Sequence, residues 1–481
     1  MVLTGCTPER VFYYFEKLSQ IPHGSGNMDA ISKFCADFAE AHGLRYRRDA
    51  YDNVIIFKPA SPGREQDPTV ILQGHLDMVC EKVPGSTFDF EKDSLKLLVE
   101  DDWVTADGTT LGADNGIAIA MALAILESDS LSHPALEAVF TTDEETSLVG
   151  ATAMDVSDLQ GRYLLNLDSE DEGVLTVSCA GGVRVVGTLP VERQSGSWTG
   201  LRVRICGLQG GHSGVQINEG RGCAMQLMGR ALYRVSKSVL VLIQELGGGS
   251  KDNVISSDCT AVLALAAEDL DTAKTVLGKL EQELKQEFAV TDPGVAIEVA
   301  VLDAAAMTPL TAESTKRAIG LLANYPQGVM VMSADLPGLV QTSLNMGVLC
   351  LEDAALKACF ALRSSCASQK QMLIERLESF FELLDGSAEA QGDYPGWEYR
   401  RDSKLRDHMC ATWEALSGTP AKVEAIHAGL ECGLFAGKIP DLDAVSLGPT
   451  MRDVHSVNER LSISSTKRTF DLVCKALETW H

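Results

Sequence analysis

The chain has 481 residues, enough for two or three domains, and its 45% hydrophobic content with 6% aromatics suits packed layers of helix and sheet. With 41 Lys and Arg against 67 Asp and Glu the formal net charge is −26, which repels nucleic acid and anionic lipid and leaves small molecules and cations as the expected partners. Thirteen cysteines without CxxC spacing read as reduced thiols of a cytoplasmic protein, and no apolar run approaches the roughly 18 residues that a membrane span needs. Leu3-Thr4-Gly5-Cys6 has the look of a lipoprotein cleavage box, but the two residues before it supply neither a charged start nor an apolar stretch.

Along the first 180 residues, strand and helix signals alternate as in a doubly wound sheet. Arg10 to Leu18 and Met28 to His42 have helical apolar spacing, and Asn53 to Phe57, Thr69 to Gln73, Ala138 to Thr142 and Tyr163 to Leu167 are short apolar runs that suit buried strands. A strong helix is predicted over Gly116 to Glu127. From about Gly182 the texture changes to amphipathic strands (Val183 to Leu189, Leu201 to Cys206, Val239 to Glu245, Thr260 to Leu265, Ala358 to Arg363) and helices (Cys223 to Val235, Leu270 to Gln286, Glu313 to Leu322). A loop is expected over Gly386 to Gly396; then helix Lys404 to Leu416 and strands Val423 to Ile426 and Ala444 to Leu447 resume the first texture. The reading is an α/β catalytic domain in two parts, residues 1–181 and 397–481, interrupted by an α+β lid over 182–396 whose length suits a duplicated unit.

Seven residues that favour divalent metals stand where predicted strands run out into turns. In Gln73-Gly74-His75-Leu76-Asp77 the alternate residues His75 and Asp77 project to one side, so that one ligates while the other orients it. Asp114, in Leu111-Gly112-Ala113-Asp114-Asn115-Gly116, is by itself an ordinary helix N-cap, yet a carboxylate on a tight turn has two oxygens and bridges two cations. In Thr142-Asp143-Glu144-Glu145 three adjacent acids repel one another unless cations compensate them; a solvated acidic turn is the plain alternative. Asp168 closes another apolar strand, and His455 follows the last one. In an open α/β sheet such sites gather at the carboxyl ends of strands.

These segments, with Gly210-Gly211-His212-Ser213-Gly214 and His427-Ala428-Gly429-Leu430-Glu431-Cys432-Gly433, resemble in order the aminoacyl-histidine dipeptidases of the zinc-dependent dipeptidase, carboxypeptidase and aminoacylase superfamily. The resemblance runs nearly end to end. It implies a phosphorylase/hydrolase-like mixed sheet with an inserted lid and two divalent cations, zinc first and manganese or cobalt as the other candidates. His75 and Asp168 would hold one cation, Glu145 and His455 the other, and Asp114 both; Asp77 would steer His75, and Glu144 would be the general base. It further implies a cis peptide after Asp114, substrate contacts from His212, Asn253, Arg363, Gly429 and Glu431, a small dipeptide substrate and a homodimer through the lid. The competing readings are a relative that cleaves N-acyl amino acids or tripeptides, a metal-binding scaffold without catalysis, and a metallo-phosphoesterase.

Overall fold

The computed structural model describes residues 2–481, the side chains of residues 303–305 excepted. It divides into two compact units: one formed by residues up to Ser178 with Tyr399–Ala425 and Leu430–His481, the other by Cys179–Glu398 with Ile426–Gly429.

The first unit is built on an eight-stranded mixed sheet, ordered Arg45–Arg48, Val54–Lys58, Leu136–Thr141, Val70–His75, Tyr163–Asn166, Asp443–Ser446, Val174–Cys179 and Lys422–Ile426. Its central four strands, from Leu136–Thr141 to Asp443–Ser446, run parallel. They are mostly apolar because both faces are covered, as parallel strands with crossover helices require, with polar residues such as Gln73, His75 and Asn166 toward their carboxyl ends. One crossover is the helix Ala113–Glu127, whose residues from Asn115 to Leu126 are all buried. It packs so closely on the strand before it that a Cβ at Gly74 would lie 2.5 Å from Asn115 Oδ1 and 2.8 Å from Ala118 Cβ. Buried helix ends are closed by long basic side chains: the Lys58 ammonium donates to the carbonyls of Ile125, Leu126 and Ser128, and Lys438 to those of Ala151, Thr152 and Met154. A small four-stranded sheet pairs Leu97–Glu100 with Trp103–Ala106, then Arg460–Ser462 and Met451–Arg452. The last two form a hairpin, and residues 453–459 are its loop.

The second unit is a nine-stranded antiparallel sheet carrying the helices Ala224–Ser236, Leu270–Glu287, Ala312–Asn324 and Ala367–Glu382. The stretch expected as a loop over Gly386 to Gly396 is largely a strand, Ser387–Tyr394, paired along Gly181–Pro190. Its small polar residues reflect an edge position with few buried side chains, and the register shifts between Gln391 and Tyr394, where Gly392 takes φ +62°. Among the described residues no helix is long and apolar enough to cross a membrane.

The contact at Gly74 gives a direct check on the first unit. Gly74→Ala is expected to lower unfolding stability by about 1–3 kcal/mol through overpacking, read from the denaturant midpoint; an unchanged midpoint would mean that the helix can shift freely against the strand.

Candidate metal centre

Three of the four parallel strands bring donors to, or just past, their carboxyl ends. His75 closes Val70–His75, Glu144 and Glu145 open a one-turn helix after Leu136–Thr141, Asp168 follows Tyr163–Asn166, and Asp114 stands at the start of the buried helix. His455 comes from the hairpin loop after Met451–Arg452. The structure brings these six side chains together in three overlapping groups, His75 with Asp114 and Asp168, His75 with Glu144 and Glu145, and Asp114 with Glu145 and His455. Within each group the donor atoms lie within 4.8 Å of one another.

Asp114 joins the two ends. Its Oδ1 lies 3.2 Å from His75 Nε2 and its Oδ2 3.1 Å from His455 Nε2. Asp168 Oδ1 is 3.5 Å from the same nitrogen of His75, and Glu145 Oε1 is 3.0 Å from that of His455. The peptide between Asp114 and Asn115 is cis. All six donors are imidazole nitrogens or carboxylate oxygens, a set that fits zinc, manganese or cobalt.

A layer of buried polar groups holds these donors. The Asp77 carboxylate accepts hydrogen bonds from Ser25 Oγ at 2.8 Å and from the Glu144 and Glu145 amides at 3.0 and 3.2 Å, while its Oδ1 lies 3.4 Å from His75 Nδ1. The Asp77 backbone carbonyl takes the hydrogen bond from His75 Nδ1 at 3.0 Å, so this one residue fixes the ring of His75 and the turn of the two glutamates together. Asn115 accepts from the His75 amide and donates to Leu167 O, strapping the helix start to two strand ends. Beneath them Asn166 Nδ2 donates to Gln73 Oε1, Gln73 Nε2 donates to Glu431 Oε2, and Thr141 Oγ1 donates to the same oxygen. Glu431 is thus fully buried among the strand ends, not displayed at a surface. The sequence reading assigned no role to Ser25, Gln73 or Asn115; only a polar residue inside an apolar run, as at Gln73, signalled one.

The electrostatics follow from crowding. Burial alone would depress His75, but the Asp168, Asp114 and Asp77 carboxylates outweigh it and hold the imidazole well above its ordinary range. His455 is pushed up to about 11 because the Asp114 and Glu145 carboxylates accept from its ring. Burial raises Asp168 to about 7, against the pull of His75, and raises Glu144 to about 9, where Asp168, Glu431 and Glu145 add to it. Asp143 and His455 both sit at positive φ, 53° and 60°, so the backbone is strained on two of the loops that carry donors.

Four of the expected substrate contacts lie in the second unit. The Nδ1 of His212 accepts from the Gly214 and Val215 amides at 3.2 and 3.3 Å, which leaves the ring proton on Nε2 as a free donor. Burial and the charge of Arg363 keep that ring neutral by lowering it below the ordinary histidine range. A Cβ at Gly214 would come within 2.8 Å of His212 Cε1, so a glycine there admits the ring. Arg363 lies near enough to the Tyr394 hydroxyl for its charge to act on it, Gly429 packs against the same ring, and His427, bonded to Ser343 at 2.7 Å, is lowered to about 4 by burial and by the same arginine. Asn253 takes part through its carbonyl, which accepts from the Ser213 amide.

A parallel sheet whose strand ends gather carboxylate and histidine donors is suited to holding divalent metal ions. The chain belongs to peptidase family M20/M25/M40, whose model matches residues 71–479. It is 34% identical over 480 residues to the cytosol non-specific dipeptidase of Escherichia coli K12, covering 99% of this chain and 98% of that one. The crystal structure of aminoacylhistidine dipeptidase from Vibrio alginolyticus superposes with a TM-score of 0.95 at 35% identity, covering 100% of this chain and 98% of that one. Aminopeptidase PepT from Bacillus cereus shares the fold at 17% identity and a TM-score of 0.56, over 98% of each chain.

Because the carboxylates raise both His75 and His455, protons compete with a cation for these rings. Binding of zinc or manganese is expected to release protons and to strengthen as pH rises. Calorimetry in buffers of different ionisation enthalpy reads this directly, and pH-independent binding without proton release would contradict it.

Proposed function

We propose that this protein is a dipeptidase that hydrolyses the peptide bond of short peptides, Xaa-His dipeptides foremost, with two divalent cations, zinc ahead of manganese and cobalt. One observation carries the reading: the two oxygens of Asp114 face different histidines, so one carboxylate belongs to two ligand groups. In this reading His75 and Asp168 hold one cation, Glu145 and His455 the other, and Asp114 both. When bound, such a pair activates water and polarises the scissile carbonyl.

Glu144 is the general base. Burial and the Asp168, Glu431 and Glu145 carboxylates push its carboxyl up to about 9 in the cluster alone; with those charges offset by cations it would be free of that proton, and as a carboxylate it would take a proton from water and carry it to the leaving amine. Asp77 acts on the chemistry only through others, keeping the His75 ring and the Glu144–Glu145 turn in register. His212, neutral with its proton on Nε2, donates to the substrate's oxyanion or carboxylate. Arg363 pairs with the free carboxylate, and Asn253, Gly429 and, through the buried layer, Glu431 shape the remaining contacts. The names of the two relatives matched along their whole length, one a dipeptidase called non-specific and the other an aminoacylhistidine dipeptidase, support the dipeptide length. They differ on the C-terminal residue, which makes histidine preference the sharper part of the proposal. Thirteen free cysteines and the cytosolic name of the E. coli relative support a cytoplasmic setting.

Release of free histidine from Xaa-His dipeptides, set against control dipeptides, tripeptides and N-acyl amino acids with zinc, manganese or cobalt supplied, tests the substrate. Preference for C-terminal histidine is expected; equal cleavage of all dipeptides would leave the dipeptidase and remove the preference. Glu144→Gln should keep its full complement of metal while kcat falls by at least about 100-fold. Near-normal turnover in that variant would take the base role away from Glu144.

A further inference from the structure

The turn that carries Asp114 is secured by a residue 345 positions away in sequence. Helix Ala113–Glu127 has no side-chain cap from its own N-terminus, where Gly112 sits in the left-handed conformation at φ +67°. Its first amides converge on Glu459 instead. Glu459 Oε2 accepts from the Leu111 and Gly112 amides at 2.8 and 3.1 Å, and Oε1 from those of Ala113 and Asp114 at 2.8 and 3.3 Å. With Glu459 only 3% exposed, water has little room to replace it. Each oxygen faces two donors, an arrangement that suits a carboxylate; a glutamine would turn an NH2 group against two N–H groups.

Glu459 stands four residues after His455 in the same hairpin loop. That loop is drawn tight by Ser456, whose hydroxyl donates to Asp453 O at 2.6 Å and whose carbonyl accepts from the Glu459 amide at 3.1 Å. Beyond Glu459 the chain enters strand Arg460–Ser462, paired to Trp103 and Val104. A single side chain therefore ties the turn of Asp114 to the loop of His455. His75 and Asp168 need no such tie, since each follows one of two strands, Val70–His75 and Tyr163–Asn166, that pair directly in parallel register.

We propose that Glu459 is a positioning residue for one half of the centre: by clamping the Asp114 turn to the His455 loop it sets the spacing of the Asp114, Glu145 and His455 donors, whereas the sheet sets the His75 and Asp168 half. This rests on the two-cation reading above. A cap serving only the helix would lower thermal stability and favour neither half.

The test equilibrates full-length protein, as purified with zinc or manganese, against graded chelator and counts the cations retained per chain, with Tm measured alongside. Wild type, Glu459→Gln, Glu459→Asp, His455→Ala and the double variant His455→Ala/Glu459→Gln are compared. Glu459→Gln is expected to weaken the cation held by Glu145 and His455 by about 10- to 100-fold and the other, which shares Asp114 but keeps the sheet-set His75 and Asp168, by markedly less, and Glu459→Asp to recover part of the loss. In the His455→Ala background, adding Glu459→Gln should weaken the remaining cation by far less than Glu459→Gln weakens the cation at the Glu145 and His455 end of the wild-type centre. Equal weakening of both cations, or no weakening of either, would overturn the proposal while leaving two-metal binding intact. If Glu459→Gln does not fold, Glu459→Asp carries the same comparison, and a Tm loss without selective cation loss overturns the proposal. A wild-type chain that retains a single cation would instead refute the two-cation reading, and the selectivity claim with it.

Discussion

Repulsion among like charges governs this molecule. Asp114, Glu144, Glu145 and Asp168 crowd around two histidines with ligand atoms within 4.8 Å in each overlapping group. Four carboxylates held that close, away from bulk water, cannot all carry full negative charge without compensation. In the chain itself the compensation is proton sharing: Asp168 and Glu144 are raised while Asp114 is held well below the usual carboxylate range by His455 and His75 against the opposing effect of burial. Divalent cations would provide the same compensation with charge to spare.

Such a cluster survives only if the protein resists its tendency to spread, and the surrounding layer is built for that. Asp77 ties a histidine to two backbone amides and a serine; Asn115 ties helix to strands; Gln73, Asn166, Thr141 and Glu431 form a buried polar run across the parallel strands. Each of these side chains finds a partner inside the fold, although Asn166 Oδ1 and Glu431 Oε1 accept no hydrogen bond from the described residues. Contacts such as that at Gly74, and at Gly448, where a Cβ would fall 1.7 Å from Ser169 O, leave the strand ends no slack. Donors spaced by close packing and buried hydrogen bonds keep their geometry better than donors on free loops.

The second unit follows a different logic. Its sheet is antiparallel and its chemistry-bearing side chains sit singly, positioned by local turns and neighbouring strands. His212 is oriented by two amides just after it in the chain, and Arg363 is flanked by Tyr394 from an edge strand that the composition disguised as a loop. Here positive charge and neutral imidazoles replace the acidic crowd, an environment that favours anions over cations.

What the sequence determined by itself was local. An apolar run that stops at Gly74-His75, at Thr142-Asp143-Glu144 or at Leu167-Asp168 already states that a strand ends and that a metal-prone residue follows, because burial demands apolar residues and chemistry demands polar ones at the boundary. The helix from Gly116 to Glu127 was legible for the same reason. Tertiary structure alone decided which oxygen of Asp114 faces which histidine, that Glu431 is buried beneath the donors, and that Gly386 to Gly396 pairs as an edge strand. It also decided that Glu459 satisfies four amides beside Asp114. Those outcomes depend on hydrogen bonds between segments hundreds of residues apart, and nothing in the local pattern of a single acid distinguishes a buried acceptor from a solvated charge.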